Sequence, residues 1–385
     1  MSDRGGPPDV RAGDPGVPGP GGAGGAGDVG DVGDIGDARW DVVHEWYHAL
    51  FTGLVLFLVS RKGTEVAART VYEVFKRQRE ARFIDGLARL GLDGLPAAVA
   101  AAQYHYLSNN IGGVSVQYMP ESDRKAWIRY LPPRWIWSSV ALCGIPTEVS
   151  RAMLWGWHAQ NGVSLGNPRL GFVCTKQTTD GQSSLEGYYE EYDEPLAADE
   201  RLRFARHEDG PAFDPAKAPH LPDAQWPPER IAKARRNYAM EYVRTLLPAA
   251  VDVLGPGEAA GLLTVAARMV GMQHYHAAYR GLLGTEPDGS PDAFARFVVA
   301  LGTASGDEVT LHEGGPDGEV EIRQLRWRLY PAGDVHDAVF RIWQGTLEGA
   351  LAAHDPTLAL HLTDRSRTAP PAFTWRLQPG GHTRL

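Results

Sequence analysis

Asn167-Pro168-Arg169-Leu170 leads into the apolar run 169–176, and Asp355-Pro356-Thr357-Leu358 repeats that entry 188 residues later. The same shift superposes Trp155 on Trp343, Pro168 on Pro356, Leu170 on Leu358 and Thr175 on Thr363. Working outward from these two entries, the same succession of elements is legible on both sides. Before the first come a mostly apolar helical stretch (45–60), a break at Gly63 and a longer amphipathic helix (65–90) with Val66, Val71, Val74 and Phe75 on its apolar face. A third helix (95–107) ends at Asn109-Asn110 and Gly112-Gly113. Then come an alternating strand (114–118), a turn (120–123), a returning strand (126–131) and a helix opened by Pro146 that runs to Ala159. Runs 169–176 and 184–192 close the unit as a hairpin around Asp180-Gly181. Before the second entry the order recurs: helices 238–254 and 258–279 broken at Gly255-Pro256-Gly257, helix 291–301, a hairpin (308–313 and 319–327) about Asp317-Gly318, and helix 335–351. Strands 358–363 and 372–377 follow.

Matching order at a fixed offset is the signature of an internal repeat. The expected fold is therefore α+β: two tandem modules, each with N-terminal helices and then a hairpin–helix–hairpin antiparallel sheet, packed face to face as a pseudo-dimer. The expected boundaries are a Gly/Pro/Asp-rich tail at 1–38, a first module at 39–195, a proline-rich linker at 196–230 and a second module at 231–380. The tail has too few apolar residues to offset the entropy of ordering, so it is expected to be disordered. Asp28, Asp31, Asp34 and Asp37 recur in it without the ligand pattern of a calcium-binding roll.

A formal net charge of −9 argues against a broad nucleic-acid surface. Cys143 and Cys174 alone make no disulfide framework, which points to a reducing, cytoplasmic setting. The longest apolar run, 50–59, is shorter than the roughly 20 residues a membrane span needs. The expected partner is a small molecule, with a homo-oligomer possible and neither membrane nor nucleic acid involved.

The last third of the first module resembles the L-2-amino-thiazoline-4-carboxylic acid hydrolase family. Gly144-Ile145-Pro146-Thr147-Glu148 is similar to that family's helix start and Asn167-Pro168-Arg169-Leu170 to its strand entry. Thr175-Lys176 falls within the strand, and Asp180-Gly181 precedes Tyr188-Tyr189. In the second module Asp355-Pro356, Thr363 and Trp375-Arg376-Leu377 keep part of the pattern. The resemblance implies a hydrolase of a small cyclic C=N or amide-type bond. Where the family has cysteines this chain has Gly156 and Ser184 or Leu185, and Trp157 replaces an acid.

On that reading His158 and Glu190 are candidate bases, with Lys176, Arg169 and Asn161 as charge stabilisers. The plainer roles are a cation at a helix end for His158 and structural ion pairs for Glu190 and Lys176. Tyr104, His105, Trp155, Asn161 and Arg169 are candidate ligand contacts, as are His274 and His276. Tyr106, Trp127, Trp135, Trp137 and Trp157 add to a first module rich in aromatic residues, which suits a flat heterocycle or simply a core. No cofactor is implied by the resemblance. His44-Glu45-Trp46-Tyr47-His48 spells His-Glu-x-x-His, so zinc at His44 and His48 is a minority reading, with Glu65 and Glu73 the nearest downstream acids. A non-catalytic binding or scaffold protein of V4R-like architecture is the main alternative.

Overall fold

The computed structural model describes residues 35–132, 139–313, 320–367 and 369–379. Residues 1–34 of the expected tail, Trp135, Trp137 and the Asp317-Gly318 turn lie outside them, and the end of that tail, from Ile35, belongs to the first helix. The expected α+β class is what the chain adopts. α1 (Ile35–Arg89) is one long helix bent at Gly63, whose φ of 83° and ψ of 173° only a residue without a β-carbon adopts readily. α2 (Ala97–Ile111), the hairpin β1 (Val116–Ser122) and β2 (Lys125–Tyr130), α3 (Thr147–Gly156) and the single turn α4 (Asn161–Ser164) follow. β3 (Leu170–Lys176) and β4 (Leu185–Glu191) close the first sheet. After a long connection come α5 (Pro228–Leu254), α6 (Pro256–Leu283), α7 (Pro291–Ser305), β6 (Glu308–Glu313), β7 (Val320–Arg326), α8 (Asp337–His354), β8 (Leu358–Ser366) and β9 (Ala372–Pro379).

The first sheet has the order β1-β2-β4-β3 and the second β6-β7-β9-β8, antiparallel throughout these strands. Two details depart from the sequence expectation. β1 runs on through Pro120, where a turn was expected. As an edge strand it tolerates the missing N–H, and its register shifts between Pro120 and Ser122. The proline-rich linker is not merely a covering loop. It contributes β5 (Leu202–Phe204), which pairs parallel with β3. Beyond it, Ala205 and Phe213 cover a small apolar cluster of Met119, Trp127, Val173 and Tyr188 on the outer face of the sheet.

One continuous core runs through both halves, which meet through helices. Phe51 and Phe75 of α1 pack edge-on to Tyr242 of α5, and Trp46 packs edge-on to Phe297 of α7. An 18-residue apolar window within 38–89 has a mean hydropathy of 1.5, and 61% of it is buried inside the protein, so core packing accounts for its composition. α6 and α8 cross so closely that a β-carbon at Gly349 would run into the Arg268 carbonyl, and one at Gly271 into that of Thr346. Backbone cannot move aside as a flexible side chain can. Gly349→Ala is therefore expected to cost about 3 kcal/mol, read from the urea midpoint. An unchanged midpoint would show that the crossing yields.

Candidate functional site

α3 stops at Gly156: the next residue, Trp157, still donates its N–H to the Met153 carbonyl, but its φ of −112° and ψ of −71° turn the chain out of the helix, and Gly156 itself lies against the Tyr72 carbonyl of α1. The break turns the chain through His158 into α4 and carries His158 and Asn161 inward. There they meet His105 of α2, Tyr130 at the end of β2 and Tyr189 of β4, all buried. The His105 and His158 rings stack with centroids 4.2 Å apart and 16° between planes.

Hydrogen bonds join the five side chains in series. Tyr130 Oη lies 3.1 Å from His105 Nδ1 and 3.0 Å from His158 Nε2. Asn161 Nδ2 lies 3.0 Å from His105 Nε2 and donates to Tyr189 Oη at 2.9 Å. Burial pushes the His105 pKa down to about 3, so the ring is neutral and carries one hydrogen. With Asn161 donating to Nε2, that hydrogen sits on Nδ1 and is donated to Tyr130 Oη. The hydroxyl's own hydrogen is then left for His158 Nε2. Each group donates in turn, and such chains are cooperative.

A chamber of about 30 Å³, the room one water takes, lies against His105, Tyr130 and His158. Trp157, Tyr238 and Tyr242 line both this chamber and a larger cleft of about 420 Å³ between the halves. The outer walls of the cleft carry Arg82, Arg89, Arg244 and Arg328 against Asp85 and Glu241, an excess of two positive charges in a chain of net charge −9. Glu241 accepts from Arg82 at 2.9 Å and from Arg244 at 3.5 Å. Behind Arg328, Arg236 is pushed down to about 10 by burial and then by Arg328, with Asp307 opposing the shift. Trp157 Nε1 is buried with no acceptor among the described residues.

No family model, curated protein or solved structure matches this chain. Its geometry therefore has to carry the assignment.

The candidates read from the sequence separate into two groups. His158, Asn161, His105 and Tyr104 come together, Tyr104 lining the cleft and stacking on Trp157 at 6.3 Å. Lys176, Glu190, Arg169 and Trp155 do not join them. Lys176 Nζ is committed to Glu186 at 2.9 Å and Asp209 at 2.6 Å. Glu190 faces the other side of β4 from Tyr189, beside Tyr192, whose hydroxyl is pushed up to about 12 by burial and then by Glu190. Arg169 is an exposed partner of Glu191 at 2.5 Å. Trp155 is half-buried on another face, in an open depression with Arg69, Tyr72 and Arg151.

The His-Glu-x-x-His reading fails on its third ligand. No group of three His, Cys, Asp or Glu side chains able to hold a metal exists among the described residues. The His44 and His48 rings lie 5.9 Å apart, and His44 Nδ1 lies 3.2 Å from the Arg235 carbonyl of α5. Burial, then His44, pushes His48 down to about 3. His44 thereby joins α1 to α5, and His48 is buried beside it. His274 is half-buried, with Glu45 opposing the effect of burial on its ring, and His276 is exposed.

Four residues of the candidate site escaped the sequence reading as site residues: Tyr130, Tyr189, Tyr238 and Tyr242. Strand alternation places Tyr130 and Tyr189 on the inner face, which was the available signal for both. Tyr238 and Tyr242 come from the other half, and no local pattern announces those contacts.

Proposed function

We propose that the chain binds a small planar molecule bearing an anionic group in the cleft between its halves and hydrolyses a C=N or amide-type bond at its inner end. The observation carrying this reading is the buried His105–Tyr130–His158 chain behind an aromatic partition that also walls an arginine-rich cleft. In the proposed step the chamber water gives its proton to Tyr130 Oη while the tyrosine's own hydrogen passes to His158 Nε2. The resulting hydroxide adds to the electrophilic carbon and pushes an electron pair onto nitrogen or oxygen; the tetrahedral adduct then collapses to a carbonyl as the C–N bond breaks, and His158 returns its proton through Tyr130 to the departing nitrogen. Asn161 would hold the His105 tautomer, and Trp157 Nε1–H would donate to the ligand. Glu190, Lys176 and Arg169 have no part in it. The resemblance to the thiazoline-carboxylate hydrolases points to the same reaction class. No metal or other cofactor enters the scheme, and a cytoplasmic setting fits two free cysteines.

The reading includes an internal duplication in which only the first copy kept its chemistry. The matching order of the four antiparallel strands supports it, as does the placement of His158 and Thr346, 188 residues apart, each beside a small chamber lined by residues of both halves. Where the first half has His105 and Tyr130, the second chamber has Val298, Leu301 and Gln324.

The test is a panel of cyclic isothioureas, lactams and their carboxylates, screened for thermal stabilisation and for turnover. Carboxylated members are expected to bind best and at least one to be opened. Binding without turnover favours the second reading, a non-catalytic binding protein, for which the seclusion of the histidines speaks. Absence of both would sink the site.

A further inference from the structure

We propose that the protein forms a twofold homodimer through the outer face of α6, the two helices running antiparallel about Met269. α6 packs on α8 and on α1, yet its third face is apolar and open: Val265 is 49% exposed, Met269 50% and Met272 41%. At 3.6 residues per turn, Glu258, Gly261, Val265, Met269, Met272, His276 and Arg280 fall within an arc of about 100°. The stripe is thus uncharged over its middle, acidic at its N-terminal end and basic at its C-terminal end.

That pattern selects a second copy as the occupant. Met269 is the midpoint between residues 258 and 280, so an antiparallel pair centred there sets each Glu258 opposite the other copy's Arg280. Val265 and Met272 then flank the Met269 contact, Gly261 leaves room for close approach, and opposed helix dipoles add to the pairing. Within the chain Glu258 Oε1 already accepts from Lys62 at 2.5 Å and Arg280 reaches Glu286 at 3.0 Å. Each end of the contact therefore becomes a four-charge network of alternating sign. Exposed methionines are suited to such a surface because their unbranched side chains fill irregular gaps. Counting from the bends at Gly63 and Gly255, the corresponding positions of α1 are Arg69, Glu73, Arg77 and Glu80 where α6 has Gly261, Val265, Met269 and Met272. Positions that α1 fills with charge, exposed at Arg69 and Glu80 and half-buried in ion pairs at Glu73 and Arg77, are uncharged in α6.

Sedimentation equilibrium of the full chain at about 50 μM, where a stable interface would be occupied, is expected to give twice the 41.9 kDa chain mass. Met269→Glu is expected to leave a monomer with an unchanged far-UV circular dichroism spectrum. Met272→Lys serves the same purpose should the first variant misfold. Glu258→Arg is expected to weaken the dimer about tenfold, and Glu258→Arg with Arg280→Glu to restore it in part, since the swap remakes the pair across the interface but sets like charges beside Lys62 and Glu286. A monomeric wild type, a dimer indifferent to both apolar variants, or a charge swap that restores nothing would each overturn the proposal.

Discussion

Tyr130→Phe is expected to lower turnover about a hundredfold with little change in KM. Only one oxygen is removed, but it is the atom common to both histidines: 3.1 Å from His105 Nδ1 and 3.0 Å from His158 Nε2. Without it the chamber water has no route to His158, while the walls of the cleft are untouched. The stability cost is expected to be about 1–3 kcal/mol, since each buried ring loses that bond. A kcat/KM measurement beside a urea titration separates the two effects. If Tyr130→Phe kept full turnover, the network would be a buried structural bridge and nothing more.

The second large effect concerns stability. Glu186 is fully buried on β4 and receives Lys176 Nζ at 2.9 Å, Thr175 Oγ1 at 3.1 Å, the Gly210 N–H at 3.0 Å and a close bond from Arg129 Nε. Burial pulls its pKa up, but the bonds from Lys176, Arg129 and Gly210 outweigh that and hold it below the usual carboxylate range. The carboxylate thereby ties the connection after β5 to the sheet, helped by the ion pair of Lys176 with Asp209. Glu186→Gln is expected to cost about 3 kcal/mol at neutral pH, because two cations lose their shared partner. A pKa depressed by folding contributes stability that is fully present above the unfolded value and is lost as pH falls through the folded one. The gap between wild type and Glu186→Gln should therefore be constant from pH 7 down to about 5 and narrow below about 4. A gap that widened on acidification would contradict this account of the carboxylate.

Much of the scaffold was legible because its signals are local. Gly63 and Gly255 announced the two helix bends, and both adopt φ values closed to other residues. Alternation marked β1, the Asp180-Gly181 turn marked the hairpin of β3 and β4, and Pro291 marked the start of α7. What escaped depended on contacts distant in sequence. β5 is three residues long and exists only because β3 offers an edge, so no pattern within 202–204 could reveal it. The break at Trp157 carries no proline, and it decides that His158 points inward while Trp155 stays outside. At the site, His158, Asn161 and His105 were named from the sequence as polar residues near helix ends. Lys176 and Glu190 were named as charged groups of the closing hairpin; strand alternation sends Glu190 to the other face of the sheet, and the register shift between Cys174 and Lys176 sends Lys176 there to pair with Glu186. Glu186, the carboxylate that Lys176 serves, was passed over although it stands on the same outward face of the closing hairpin.

The central claim is that function resides in the first half, at the histidine chain under the cleft, and the paired variants His158→Ala and Thr346→Ala test it most directly. These positions lie 188 residues apart, each lining a different small chamber between the halves. With a ligand or substrate from the panel, His158→Ala is expected to abolish turnover while the protein still unfolds cooperatively, and Thr346→Ala is expected to retain wild-type turnover. Equal retention by both variants, or loss of the fold in His158→Ala with restored function in His158→Gln, would make His158 a packing residue and contradict the account.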